Sequence, residues 1–575
     1  MRIWYALLLV VIGVFLVRLF YLQVIRYDYY HRVALSDQLK QYEIPAQRGI
    51  IEAHQGDSVV PIVLNQKLYT LYVDPTIVKH ADQASETLAA TLHGDAGNFH
   101  KLLTTPHTRY VVLAHKVTDA QRKAILEHKY PGIGAQEQDY RTYPDGDLAA
   151  QVLGFVNNDG KGVYGIEQAL NKQLSGKAGQ LKAVTDINGV PLAANTGNTL
   201  QQPTPGNNLV LTLDTGMQKQ LQDILKQGLK DAKSDSGSAL IMDPNTGAIK
   251  AMANWPSYDP GRYSDVSDGS VFNNAAVSAP LEVGSVMKPL TMAAALDQGV
   301  VRENTTYYDP AHWVVDDFTI TNIEEDGGGG TKSMADLLNL SLNTGATWLL
   351  MQMGGQGQQI NAKGRAAWHD YMVNHYMFGR ATGIEQGYED PGYIPDPENG
   401  YGLSLTYANT TFGQGMTATP LQMAAALSAI VNGGTYYQPH LVDQTVDGSG
   451  HATVKPPVAV KGNVVSPAVS ASIQRLMEYT VSKHYFKPGF DQSKYGVGGK
   501  TGTAQIAKKG GGYLDNEFNG TYIGFVGGDT PQYVIVVRVN QPHNGGYAGT
   551  AAAQPIFGTL AHMLINNFGV TPKSR

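Results

Sequence analysis

Positions 3–17 are apolar or aromatic without a break except at Gly13, and after Arg18 the run resumes as Leu19-Phe20-Tyr21-Leu22-Gln23-Val24-Ile25. At ~1.5 Å of rise per helical residue, about 20 residues cross the hydrocarbon core of a bilayer. The run therefore predicts a membrane-spanning helix over 3–25, with Arg18 snorkelling towards one interface. The residues after it, Arg26-Tyr27-Asp28-Tyr29-Tyr30, are bulky and offer no small-residue cleavage site, so an uncleaved anchor is expected rather than a signal peptide. Only Arg2 precedes the span, while Arg26 and Arg32 follow it, so charge does not favour an exported C-terminus. The outside assignment rests on chemistry further along.

Beyond the anchor the periodicity changes repeatedly. Residues 68–73 and 110–113 have strand character, and 119–128 read as an amphipathic helix. Arg48-Gly49-Ile50-Ile51 and Arg141-Thr142-Tyr143-Pro144 read as turn and salt-bridge residues. Gln201-Gln202-Pro203-Thr204-Pro205-Gly206-Asn207-Asn208 has the composition of a linker. A strand over 209–213 follows, then Asp214 as the N-cap of a helix reaching about Ala232. Residues 238–243 and 248–253 predict a hairpin around Pro244-Asn245-Thr246-Gly247. Near the end, 521–527 and 533–539 predict an antiparallel pair, and 549–567 a helix packed on the sheet. Gly327 to Gly330 reads as a loop tip, not a phosphate loop, because no Gly-Lys-Ser/Thr follows. Strands at both ends of a region with helices between them predict an α+β fold. Three parts result: an anchor over 1–29, a mixed α/β pedestal or docking domain over 30–205, and a second domain over 206–575.

Composition narrows the chemistry by exclusion. The 575 residues suffice for more than one domain, and a net charge of −6 without a basic run argues against a nucleic-acid partner. The chain has no cysteine, which removes thiolate metal sites, cysteine nucleophiles and disulfides. No H-E-x-x-H or P-loop pattern points to a zinc protease or nucleotide hydrolase.

What remains is serine chemistry. Glu282-Val283-Gly284-Ser285-Val286-Met287-Lys288-Pro289-Leu290 runs into Thr291-Met292-Ala293-Ala294-Ala295-Leu296, a segment of strong helix formers. Ser285 in the first turn would share a face with Lys288. A serine hydroxyl becomes a useful nucleophile when a nearby base takes its proton, and a desolvated lysine can be that base. The helix N-terminus would favour developing negative charge. Alone, a serine three residues before a lysine is most often a solvated helix face. Two companions change that: Ser341-Leu342-Asn343, after the helical segment 334–340, and Lys500-Thr501-Gly502-Thr503, before strand-like sequence. S-x-x-K, S-x-N and K-[ST]-G each occur once, in that order, and the trio is shared by penicillin-binding proteins and class A β-lactamases.

With these motifs the chain resembles the class B penicillin-binding proteins, peptidoglycan D,D-transpeptidases. The resemblance runs from Arg18-Leu19-Phe20-Tyr21-Leu22-Gln23 to Gly545-Gly546 and the last helix. The division-type (FtsI-like) branch is the most similar. It is matched at Arg141-Thr142-Tyr143-Pro144, Leu153-Gly154-Phe155-Val156 and Gly165-Ile166-Glu167. Further matches are Ala251-Met252-Ala253-Asn254-Trp255-Pro256-Ser257-Tyr258 and Phe412-Gly413-Gln414-Gly415-Met416-Thr417-Ala418-Thr419-Pro420-Leu421-Gln422. Two departures stand out. Ala53-His54 replaces the family's Asp-Arg pair, and Asn273-Asn274-Ala275 replaces its Arg-Asn-Arg triplet, so the ion pairs those residues imply lack their partners here.

The resemblance implies a transpeptidase domain with an antiparallel sheet and helices over 206–575. In it Ser285 would attack the penultimate D-Ala carbonyl of a stem pentapeptide, release D-Ala and hold the acyl group. Lys288 would be the general base, its neutral form favoured by burial and by the charge of Lys500. Ser341 would relay the proton to the leaving amine, and Asn343 would hold the substrate amide or Lys288. Lys500, Thr501, Gly502 and Thr503 would bind the substrate carboxylate along a strand edge. Backbone N–H groups of Ser285 and Thr503 would form the oxyanion hole. No metal or organic cofactor is implied. The partners implied are peptidoglycan stem peptides, β-lactams, an FtsW-like (SEDS-family) glycosyltransferase and other division membrane proteins, at the cytoplasmic membrane with the catalytic domain outside. An elongation-type transpeptidase and a catalytically idle division scaffold are the alternatives. A class D-like β-lactamase or β-lactam sensor would not need the domain-sized stretch between anchor and motifs.

Overall fold

The computed structural model describes residues 2–30, 39–184, 199–323, 329–355, 357–508 and 511–574; Gly327 and Gly328 of the expected loop tip lie outside them. The chain divides into two compact units, one of residues 1–49, 172–207 and 447–450, the other of 50–171, 208–446 and 451–575.

In the first unit the apolar run is a helix, Arg2–Phe20, prolonged by one π-helical turn, Tyr21–Ile25. Its 24 residues span roughly 36 Å at the helical rise, enough to cross a bilayer core of about 30 Å. None of its residues is buried against protein. At its C-terminal end the Arg26 Nε donates to the Tyr21 hydroxyl at 2.9 Å, and the Arg18 and Arg26 guanidinium groups lie over the Tyr21 ring. Arginine and tyrosine together suit the headgroup layer. A three-stranded antiparallel sheet, ordered Leu39–Ile44, Gly179–Val184, Thr199–Gln201, also belongs to this unit. The linker is partly structured, since Lys177 and Thr204 exchange backbone hydrogen bonds at 2.9 Å.

The second unit is built on a five-stranded antiparallel sheet in the order Ile249–Trp255, Ser236–Met242, Pro531–Asn540, Tyr513–Gly527, Gly496–Ala507. Both faces are covered, which is why Tyr533-Val534-Ile535-Val536-Val537 is apolar without alternation. The helices Thr215–Asp231 and Gln554–Asn567 pack their leucine, isoleucine and phenylalanine residues on one face through Leu221, Leu225, Ile556, Phe557 and Leu560. The wholly buried helix Pro420–Val431 contacts the middle strands, and Pro467–Lys483 contacts the edge strand.

Local signals behave as the sequence predicts. Asp214 caps its helix by accepting the Met217 N–H at 2.8 Å. Asp243 accepts the Asn245 N–H and the Thr246 hydroxyl, both at 2.8 Å, which closes the hairpin turn. Arg141 makes a buried ion pair with Glu167, Nε to Oε1 at 2.6 Å.

A second sheet in this unit is ordered Ala452–Val454, Val442–Val446, Asn208–Asp214, Ile51–Gln55, Ser58–Val73, Val111–Val117, with Ile133–Thr142 also paired to Ser58–Val73. Here His54 faces Asp443, Nε2 to Oδ2 at 3.2 Å. Asn274 is buried in a neutral network with the Asn254 amide at 2.9 Å and the Gln386 side chain at 3.1 Å.

Candidate active site

The three motifs lie on three elements of the second unit. Gly284–Met287 is a single 3-10 turn, and the α-helix proper is Lys288–Asp297, with Pro289 in its first turn. Ser285 therefore lies in the tighter turn before the α-helix. It is partly exposed while Gly284, Val286, Met287 and Lys288 are buried. Ser341 lies between two helices, Met334–Asn339 and Asn343–Met353. Its φ is +56°, unusual for a residue with a side chain. Lys500-Thr501-Gly502-Thr503 does not precede a strand but lies within one, Gly496–Ala507, the edge of the five-stranded sheet.

The kinked backbone at Ser341 turns two of its oxygens to one place. The Lys288 Nζ donates to the Ser341 carbonyl, to the Ser341 Oγ at 3.1 Å and to the Asn343 Oδ1 at 2.8 Å. An ammonium has three donors, and these acceptors engage all of them. The Asn343 Nδ2 donates in turn to the Thr321 carbonyl at 3.0 Å. Lys288 is 0 % exposed and Lys500 1 %. The Lys500 Nζ donates to the Thr501 carbonyl at 3.0 Å and to its Oγ1 at 3.3 Å.

The serine turn is packed directly on the lysine–threonine strand. A Cβ on Gly502 would lie 2.2 Å from the Thr521 Oγ1 and 2.8 Å from the Val283 carbonyl, so this position admits no side chain. Thr521 donates to that same carbonyl at 2.9 Å. Thr501 and Thr503 point to the more open face of the strand, and the Thr503 Oγ1 accepts the Gly549 N–H at 3.0 Å. Ser285, Lys288, Ser341, Asn343, Lys500, Thr501, Gly502 and Thr503 are thereby drawn into one region from positions more than 200 residues apart.

Two groups here escaped the sequence reading. Glu282 accepts the Gly415 N–H at 2.9 Å and the Tyr513 hydroxyl at 3.2 Å, and its second oxygen is buried without a partner among the described residues. Burial pushes its carboxyl above the ordinary range, against the pull of those two donors. The other is His484, at the end of Pro467–Lys483. Burial, then the charge of Lys500, lowers its pKa to about 4, while a hydrogen bond with the Asn339 backbone opposes them. Nothing in the local sequence announces either role, because the partners come from distant segments.

The histidine carries a prediction. Its folded pKa lies below the unfolded value of about 6.5, so the stability it contributes is present above that value and is lost as pH falls towards 4. The loss should approach ~3 kcal/mol at its largest. Thermal melts of the detergent-solubilised protein between about pH 7 and 4 should show a steeper decline for the wild type than for His484→Gln. Parallel curves would remove the histidine from the acid response.

The chain is similar to known proteins along nearly all of its length. The family model described as the penicillin binding protein transpeptidase domain matches residues 237–562, and the penicillin-binding protein dimerisation domain matches 43–211. The chain is 31% identical to the stage V sporulation protein D of Bacillus subtilis over 97% of this chain and 84% of that protein. To the peptidoglycan D,D-transpeptidase FtsI of Escherichia coli K12 it is 27% identical, over 98% of this chain and 91% of that one. The crystal structure of penicillin binding protein 2X from Streptococcus thermophilus superposes with a TM-score of 0.70 at 23% identity, covering 92% of this chain and 81% of that chain. Penicillin binding protein 3 of Mycobacterium tuberculosis complexed with aztreonam gives 0.67 at 24%, covering 92% and 98%. With the transpeptidase model matched over more than half its length and a relative above 30% identity along nearly all of it, the chain belongs to the penicillin-binding protein transpeptidase family.

Proposed function

We propose that this chain is a division-type peptidoglycan D,D-transpeptidase that works through an acyl-enzyme on Ser285. The observation that carries the reading is the Lys288 amine, shut away from solvent, one turn from Ser285 and bonded to both Ser341 and Asn343. A lysine so buried is costly unless it has chemical work, and burial favours the neutral amine that a base requires. Ser285 Oγ attacks the penultimate D-Ala carbonyl as its proton passes to Lys288. The tetrahedral oxyanion is held by the Ser285 and Thr503 N–H groups. As the carbon–nitrogen bond breaks, Ser341 relays the proton held by Lys288 to the departing D-Ala amine. The amine of a second stem peptide then attacks the ester, restoring Ser285 and forming the cross-link.

Lys500 and Thr501 hold the terminal carboxylate of the donor peptide. The outer edge of Gly496–Ala507 has no strand partner among the described residues and can take an extended peptide as an added strand. An idle scaffold is the poorer reading, since it leaves two lysines buried without purpose. Septal rather than elongation work is supported by the relatives named for division and sporulation. An FtsW-like glycosyltransferase is the expected partner.

Mass spectrometry of the full-length protein treated with a β-lactam should place the adduct on the peptide containing Ser285. Limited proteolysis should leave the label on a fragment beginning near residue 206, the proposed start of the transpeptidase domain. An adduct elsewhere, or none with several β-lactam classes, would sink the assignment. The helix Arg2–Phe20 is proposed as a retained anchor with the bulk of the chain outside the cytoplasm. Reporter fusions after Leu200 should be active only for a reporter that works in the exported compartment; activity of a cytoplasmic reporter would reverse the topology.

A further inference from the structure

Asn343 has two ends alike in shape and opposite in hydrogen-bonding sense. Its Oδ1 faces the Lys288 ammonium and its Nδ2 faces the Thr321 carbonyl. Turned over, it would set N–H against the donors of Lys288. Lys288 opposes that turn from one end of the amide, and the Thr321 carbonyl opposes it from the other. Thr321 ends the strand Phe318–Thr321, whose only sheet partner among the described residues is His312–Val315. A lone two-stranded hairpin is marginal in water; Val315 and Ile320 pack this one on Ala346, Ala408 and Phe412, and a polar network supports its end.

That support lies directly behind it. The residue after Thr321, Asn322, grips the residue after Asn343, Thr344. The Asn322 Oδ1 accepts the Thr344 N–H at 3.1 Å, and the Asn322 Nδ2 donates to the Thr344 Oγ1 at 2.8 Å. Both side chains converge on Asp309, which accepts the Thr344 hydroxyl proton at 2.6 Å and the Asn322 amide at 3.3 Å on Oδ2. Asp309 also accepts the Ala311 N–H at 2.8 Å and the Tyr307 hydroxyl at 3.4 Å. Asp309 and Thr344 are both 0 % exposed. None of these donors is a cation. A carboxylate buried among neutral donors is expensive, and the hairpin already has apolar packing to hold it down. What the carboxylate adds is direction. As an acceptor only, it fixes which way the Thr344 hydroxyl points and how the Asn322 amide is turned.

We propose that Asp309 is a positioning residue for acylation, which with Thr344 and Asn322 sets the Thr321 carbonyl that orients Asn343 towards Lys288. This rests on the reading of Ser285 and Lys288 as nucleophile and base. Asp309 touches neither substrate nor the reacting atoms. Asp309→Asn would present an N–H where an acceptor is needed, and Thr344→Val would remove the hydroxyl while keeping the shape.

The test is acylation of the full-length, detergent-solubilised protein by a fluorescent penicillin. The limiting rate constant, the dissociation constant before acylation and the labelled fraction are measured separately. Asp309→Asn and Thr344→Val should lower the limiting rate constant by about tenfold to a hundredfold, as small misplacements of reacting groups do. The dissociation constant should move less than about threefold, and Thr344→Ser should restore the rate to within about threefold of wild type. Two results would overturn the proposal: wild-type limiting rates in both variants, or a loss confined to the labelled fraction, which reports folding alone. Should Asp309→Asn not fold, the Thr344 pair decides. A wild-type protein that takes no label at Ser285 would instead fault the parent reading.

Discussion

Replacing Lys288 by arginine is expected to abolish acylation of Ser285 at every accessible pH, whereas Lys500→Arg should mainly weaken ligand binding. The two lysines are about equally buried, at 0 % and 1 % exposed, so burial does not separate them. Their partners do. The Lys288 Nζ is set among Ser341 and Asn343 acceptors and must give up its charge to serve as a base. Arginine, with a pKa above ~12, cannot. General-base catalysis is worth about 10²–10⁴ in rate, so the loss should reach at least about a hundredfold. Lys500 has only to present positive charge to a carboxylate, and a guanidinium does that well where its larger fork fits. Lys500→Arg should retain a measurable acylation step at saturating β-lactam. Stopped-flow acylation from about pH 6 to 9, the range in which a tuned lysine base titrates, distinguishes the two, with thermal melts as the check on folding. If Lys288→Arg acylates near the wild-type rate, Ser285 is activated by another group.

Gly413→Ala should disable the site almost as completely, without touching a reacting residue. Gly413 has φ +79°, and a Cβ there would lie 2.2 Å from the Gly284 carbonyl oxygen and 2.6 Å from the Gly284 nitrogen. Both obstacles are backbone and cannot swing aside. The Gly284 N–H is already bonded to the Gly413 carbonyl at 3.0 Å, so the serine turn has to move with it. The expected cost is about 2–4 kcal/mol of stability from overpacking and left-handed strain. The acylation rate should fall about a hundredfold, since an error near 1 Å at a nucleophile is of that consequence. Gly415→Ala separates the causes. Its φ is +68°, but the nearest neighbour of an added Cβ is 3.7 Å away. It should cost only about 1–2 kcal/mol, with acylation within about threefold of wild type. Equal damage from both would mean that backbone conformation, not contact with Gly284, governs the turn.

The hidden strand shows where sequence reading loses its grip. Gly496, Gly498, Gly499 and Gly502 crowd a segment that β-propensity disfavours, and the strand could be placed only after Lys500. In the fold the ring of Phe525 lies where a Gly498 side chain would be, at 2.3 Å, and the Tyr522 hydroxyl does the same at Gly499, at 2.4 Å. Neighbouring aromatic residues need the space. The 16-residue strand Ser58–Val73 was legible only over its last six residues, because Asn65, Gln66 and Lys67 interrupt the apolar pattern. Its partner Ile133–Thr142 holds it through the polar stretch, setting Asn65, Gln66 and Lys67 opposite Arg141, Tyr140 and Asp139.

By itself the sequence determined the long N-terminal apolar helix, the α+β class, the helix caps and the identity of the three motifs. Each depends on residues close together in the chain, through apolar run length, side-chain capping or motif spacing. Only the tertiary structure decided what surrounds the chemistry. The left-handed turn at Ser341 aims two oxygens at Lys288, and Gly413 locks Gly284. The buried Asp309 network stands behind Asn343, and His484 lies beside Lys500. Those arrangements join residues tens to hundreds of positions apart. The free energy that selects them comes from burying and hydrogen-bonding side chains against one another, which is absent until the chain has folded.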